Sequence, residues 1–248
     1  MSTDRNPPAP TARAQSHVVG VALLLAITVA ALGGLTASVG SIVEDQTGRM
    51  DAKQVAEDFE GAIRPTETTG YHEQEVTFAS GRLATVDRDL RVLNGSGHAW
   101  TISVGGLVYT SGEQRVATVG GAVVRETGGS GWVVRGPPVV ASNGPGVLVV
   151  GAPRLGGRGI GISGSGGVTA TLRTNVTHDR TRLGNDTYRV AIETTATDAL
   201  ARAFERHNAT TTTRDFDGDG VESVVARYHG NRTAYLVVHD MRLEVGHG

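Results

Sequence analysis

The chain has 248 residues, a formal net charge of −2 and no cysteine. The missing cysteines exclude disulfide staples, thiolate zinc sites and a thiol nucleophile, and a charge this close to zero argues against a nucleic-acid partner. Lys53 is the sole lysine against 22 arginines, a bias that fits a GC-rich genome and is compatible with halophilic archaea.

Residues 1–12 are polar and carry Pro7, Pro8 and Pro10, as expected of a disordered leader. No charge then occurs between Arg13 and Glu44. A helix over 18–43 would be roughly 39 Å long, more than the roughly 30 Å of bilayer hydrocarbon, so the run predicts a transmembrane helix. Arg5 and Arg13 precede it, while Glu44 and Asp45 follow it. The positive-inside rule then predicts a single-pass protein with a cytoplasmic N-terminus and an extracellular body. Three readings of the run stand at this point. It is a secretory signal with a late cut near Thr36-Ala37-Ser38, a signal anchor that stays in place, or a prepilin leader cut before the apolar run.

The order basic, small, then mature start is present at Arg13-Ala14-Gln15-Ser16. The stretch Arg13-Ala14-Gln15-Ser16-His17-Val18-Val19-Gly20 resembles the N-terminus of archaeal type IV pilins, where Arg-Ala-Val-Ser-Pro-Val-Ile-Gly is typical. The resemblance covers about the first fifty residues. It implies a class III signal peptide cleaved between Ala14 and Gln15 by a prepilin peptidase. It further implies partnership with other pilin subunits, pilus assembly machinery and the membrane. His17 stands where the family usually has proline, and Val19 stands where bacterial pilins have a glutamate.

Helical periodicity continues beyond the apolar run. Ala52, Val55, Ala56, Phe59, Ala62 and Ile63 recur at helical spacing, and Asp51, Lys53, Glu57, Asp58 and Glu60 form a charged face until Pro65 ends the pattern. Residues 15–63 thus read as one broken helix, loosened by Gly33-Gly34 and Gly40. From Tyr71 the pattern changes to short β-type runs at 75–79, 82–86, 90–93, 99–104, 107–110, 115–119, 122–126, 132–135, 139–141 and 146–150. Longer runs follow at 168–174, 188–194, 223–228 and 234–245. A helix is expected over 198–207, with Thr195 and Asp198 as a capping box. The fold class is therefore α+β, a long N-terminal hydrophobic helix followed by an antiparallel, sandwich-like head. The domains are a leader at 1–14, a transmembrane and stalk helix at 15–64, and the head at 66–248.

Five of seven asparagines lie in Asn-x-Ser/Thr: Asn94, Asn175, Asn185, Asn208 and Asn231. Roughly one such match is expected by chance, so these are candidate glycosylation sites on an exposed surface. Gly159-Ile160-Gly161-Ile162-Ser163-Gly164 matches a dinucleotide fingerprint, but the run after it is strand-like rather than helical, so a surface loop is expected. His178-Asp179 and His239-Asp240 lack zinc-protease spacing, and no nucleophile elbow is present. No enzyme is read from this sequence. Asp215-Phe216-Asp217-Gly218-Asp219-Gly220 carries carboxylates at alternate positions, as in the first half of a calcium loop. Asp215, Asp217, Asp219 and the Val221 backbone oxygen are the candidate ligands. The twelfth position, usually a bidentate glutamate, is Ala226, and Glu222 is the nearest acidic substitute. A calcium site and a plain acidic hairpin both remain open.

The reading as a whole is a pilin-like subunit, processed and assembled into a cell-surface filament for adhesion. The alternative is a single-pass, membrane-anchored extracellular binding or structural protein that does not polymerise.

Overall fold

A computed structural model describes residues 12–64, 68–144, 146–157 and 159–247, with the side chains of 12–19, 36–45 and 247 outside the described set. Two compact units are present, Met1–Gln46 and Thr47–Gly248. The helix α1 runs over Ala12–Ile63. It is followed by β1 (Gly70–Val86), β2 (Asp89–Asn94), β3 (Ala99–Ser103), β4 (Gly106–Ser111), β5 (Gln114–Val119), β6 (Ala122–Thr127), β7 (Ser130–Arg135), β8 (Val139–Ala141) and β9 (Gly146–Arg154). The rest comprises β10 (Gly161–Glu193), α2 (Thr197–Glu205), β11 (Thr210–Arg214), β12 (Ser223–Asp240) and β13 (Glu244–His247).

Three expectations are corrected here. The protein is predominantly β rather than α+β, and among the described residues no helix is long and apolar enough to cross a membrane. The expected transmembrane helix, and with it the single-pass placement of cytoplasmic N-terminus and extracellular head, is therefore set aside. The β region is also not an antiparallel sandwich. It is one 13-stranded sheet whose main path runs β7-β6-β5-β4-β1-β10-β12-β9-β8, with β12 and β9 parallel.

The long strands explain this continuity. Sequence breakers inside them become bulges instead of turns. β1 slips register between Phe78 and Ser80, and β10 slips against β12 between Arg182 and Gly184 and between Asp186 and Tyr188. A bulge bends and twists a strand without ending it. β10 therefore pairs first with β1 and β13, then with β12, and finally with β12 and β2 together. The two ends of the path, β7 and β8, are consecutive in sequence and joined only by residues 136–138. That short link brings the two ends of the sheet close to each other.

Two cores result. In the first, Val55, Phe59 and Ile63 of α1 bury against Val76, Phe78, Leu83, Tyr109 and Leu172. The 3.6-residue spacing of the helix positions puts them on one face. The second core joins Leu90, Val92, Leu148, Val150, Tyr188 and Ile192 to Leu200 and Phe204 of α2. Two local details differ from the sequence reading. Gly33-Gly34 lies inside a continuous α1, and the Thr195–Asp198 capping box does not form. Ala196 occupies the cap of α2 without a side-chain cap bond, and the Thr194 hydroxyl accepts the Ala196 N–H at 3.1 Å.

Candidate functional site

The acidic loop connects β11 to β12, which pair from Thr210↔Arg227 to Arg214↔Ser223. Its conformation is set by Asp215, whose Oδ1 accepts the N–H of Gly218 at 2.8 Å and of Asp217 at 3.3 Å. Its Oδ2 accepts the Gly220 N–H at 3.2 Å. Gly218 and Gly220 take φ of 77° and 87°, a region that glycine enters without steric cost. Asp219 Oδ1 accepts the Val221 N–H at 2.8 Å. The backbone N–H groups, that of Gly218 foremost, hold the Asp215 carboxyl below its ordinary value.

Asp217, itself exposed, also joins an ion network whose other members are more buried. Arg91 Nη2 donates to Asp217 Oδ2 at 2.8 Å and to Asp89 Oδ2 at 2.9 Å. Arg91 Nη1 lies 3.6 Å from Glu193 Oε2, and Arg88 Nη1 lies 3.5 Å from Glu193 Oε1. Glu193 is 4% exposed, and burial pushes its carboxyl upward against the pull of Arg88. Phe216 sits between two guanidiniums, with Arg91 and Arg214 at 5.0 and 4.9 Å from its ring centre. Each such contact is worth about 0.5–2 kcal/mol.

One oxygen from each of Asp215, Asp217 and Asp219 lies within 4.8 Å of the other two, and Asp89, Glu193 and Asp217 meet the same condition. The residues fit calcium in part. Hard oxygens converge at the spacing of a calcium loop, and Asp215, Asp217 and Asp219 would hold the ion. The closing glutamate is missing, because Ala226 is buried in β12. Arg91 also already delivers a positive charge to Asp217. Local sequence signals the loop but not Arg91, Asp89 or Glu193, which reach it across the sheet. The alternation Asp89-x-Arg91, which puts both side chains on one face of a strand, is the one trace of that network in the sequence.

The remaining predicted sites scatter. The side chains of Arg13, Ala14, Gln15 and Ser16 lie outside the described residues. Asn185, Asn208 and Asn231 are exposed, whereas Asn94 and Asn175 are half-buried. Asn94 Oδ1 accepts the Ser96 hydroxyl and the His98 N–H, both at 2.8 Å. The fingerprint-like 159–164 segment enters β10 at Gly161 and pairs with β1, so it is strand rather than loop. His178 and His239, distant in sequence, face each other with their Nδ1 atoms 2.8 Å apart.

Residues 13–244 match a family of unknown function (DUF7289), and the chain belongs to that family. No curated protein and no solved structure matches it. The family carries no assigned function, so the sequence-based labels of pilin and halophilic archaeon gain no support from it.

Proposed function

We propose that the protein is a non-enzymatic, pilin-like subunit that assembles with copies of itself through α1. One observation carries this reading. Val21, Leu23, Leu24, Leu25, Ile27, Val29, Leu32 and Leu35 are each 57–67% exposed. At about 100° per residue these side chains cover most of the helix circumference. Ala22, Ala26, Ala30 and Gly33 occupy the remaining arc. A helix that is apolar nearly all round is stable when buried among other apolar surfaces. The aliphatic arc of one α1 against the small-residue arc of the next allows close packing, in the manner of helices that meet through small residues. The likeness of residues 13–20 to pilin N-termini supports the same conclusion, with cleavage before Gln15 by a prepilin peptidase preceding assembly. Weak calcium binding by Asp215, Asp217 and Asp219 belongs to this proposal as a stabiliser of the β region.

N-terminal sequencing of the native protein tests processing. A first residue of Gln15 is expected, and Met1 or Ser2 would overturn the prepilin route. Electron microscopy of the mature chain tests assembly. Filaments are expected for the wild type and none for Leu24→Asp or Ile27→Asp. A wild-type chain that stays monomeric at high concentration would sink the assembly reading.

A further inference from the structure

We infer that the β2–β10–β12 surface holds an anion site selective for a dianionic phosphate or sulfate group. Arg189 of β10 and Arg227 of β12 are direct cross-strand partners. Their Cβ atoms therefore lie about 4.5–5.5 Å apart on one face of the sheet. Both side chains are exposed. Among the described residues neither guanidinium has a carboxylate, hydroxyl or carbonyl partner, in contrast to Arg88, Arg91, Arg115, Arg154 and Arg173, which all do. Like charges placed directly opposite each other destabilise a strand pair. A pair of arginines so placed and left without counter-charge is explained by an anion between them.

The surface there is concave. A cavity of about 260 Å³ is lined by Gly95, Thr187, Tyr188, Arg189 and Arg227. Gly95, in the β2–β3 hairpin, closes one side. A Cβ at this position would stand 2.6 Å from both Thr187 Oγ1 and Asp186 Oδ1, so glycine lets the hairpin approach the strand. Asp186 stands next to Gly95, and its Oδ1 accepts the Thr187 N–H at 2.6 Å. The Thr187 hydroxyl adds a neutral donor.

The donor set selects the ligand class. Two guanidiniums present forked N–H donors suited to paired oxygens. A tetrahedral dianion neutralises both charges and offers an oxygen pair to each fork. A monocarboxylate neutralises one and leaves the other opposed. The cavity exceeds the size of one inorganic anion, so a phosphate or sulfate ester of a larger molecule also fits.

Calorimetry and thermal melts on the full chain in low-salt chloride buffer, with inorganic phosphate, inorganic sulfate and acetate as probes, test this site. Phosphate and sulfate are expected to bind in or below the roughly millimolar range and to raise the melting temperature, with acetate at least about tenfold weaker. Arg189→Ser and Arg227→Ser should each weaken phosphate at least about tenfold while melting no lower than the wild type in the anion-free buffer, since each removes a like-charge contact. Gly95→Ala, which intrudes on the cavity without altering its charge, should weaken phosphate as well. Acetate binding as tightly as phosphate, no heat with either dianion, or unchanged phosphate affinity in the arginine variants would overturn the inference.

Discussion

The Asp51 carboxylate in α1 accepts the backbone N–H of Ala79 in β1 at 2.9 Å. It does so where β1 slips register between Phe78 and Ser80, so a helix side chain satisfies an N–H that the strand ladder leaves open. The same oxygen also takes the Ser80 N–H at 3.4 Å, and Asp58 Oδ2 takes the Thr77 N–H at 3.3 Å. Asp51→Ala should lower the unfolding free energy by about 1–3 kcal/mol, the cost of stranding a half-buried donor. Asp51→Asn keeps an acceptor and should cost less. Denaturant titration of both variants checks this, and equal loss in the two would show that only the charge matters.

Arg91 is the internal cation of the acidic loop. Arg91→Ala leaves Asp89, Asp217 and Glu193 facing one another, and a loss of about 3–5 kcal/mol is expected, typical of breaking a buried ion network. Arg91 and a metal compete for Asp217. Millimolar calcium should therefore raise the wild-type melting temperature slightly and that of Arg91→Ala much more. In Asp217→Ala calcium should have no effect. Thermal melts with calcium and with chelator decide this.

The five sequons are not equivalent. Asn208 and Asn231 are exposed beside α2 and within β12, while Asn175 is half-buried in β10 opposite Tyr71. Glycopeptide mass spectrometry of native protein should show occupancy at Asn185, Asn208 and Asn231 above that at Asn175. An intact mass equal to that of the unmodified mature chain would show that none is used.

Acid should act through the histidine pair. Burial, then the neighbouring His178, lowers His239 from its ordinary value to about 4. The folded state thus binds fewer protons than the unfolded state between pH about 6.5 and 4, and stability falls as pH falls through that window. His239→Gln should flatten this part of the stability–pH curve. An unchanged slope between pH 6.5 and 4 would remove His239 as its cause.

The sequence exposes much of this architecture where patterns are local. Val55, Phe59 and Ile63 announce their buried face through helical spacing, and Asp215-Phe216-Asp217-Gly218-Asp219-Gly220 announces a tight acidic turn. Long-range relations stay hidden. Ser80-Gly81 and Gly184 look like strand ends, yet cross-strand pairing absorbs them as bulges, so β1 and β10 run far beyond the predicted segments. Asp51 and Asp58 look like part of a solvated face, because nothing nearby in sequence shows that a bulged strand needs their oxygens. Arg91 and Asp217 are 126 residues apart, and only the sheet order brings them together. The expected membrane span rested on an uncharged run whose flanking side chains, 12–19 and 36–45, lie outside the described residues.

β10 is a single strand of 33 residues that contributes Leu172 and Val176 to the first core and Tyr188, Val190 and Ile192 to the second. Neither core can come apart without stripping partners from a strand on which the other depends. The β region therefore lacks a weak seam at which half of it could melt alone, and heat should take it apart in one calorimetric peak. Mechanical tension would likewise be shared along β10 instead of being concentrated at a boundary between two independent bodies.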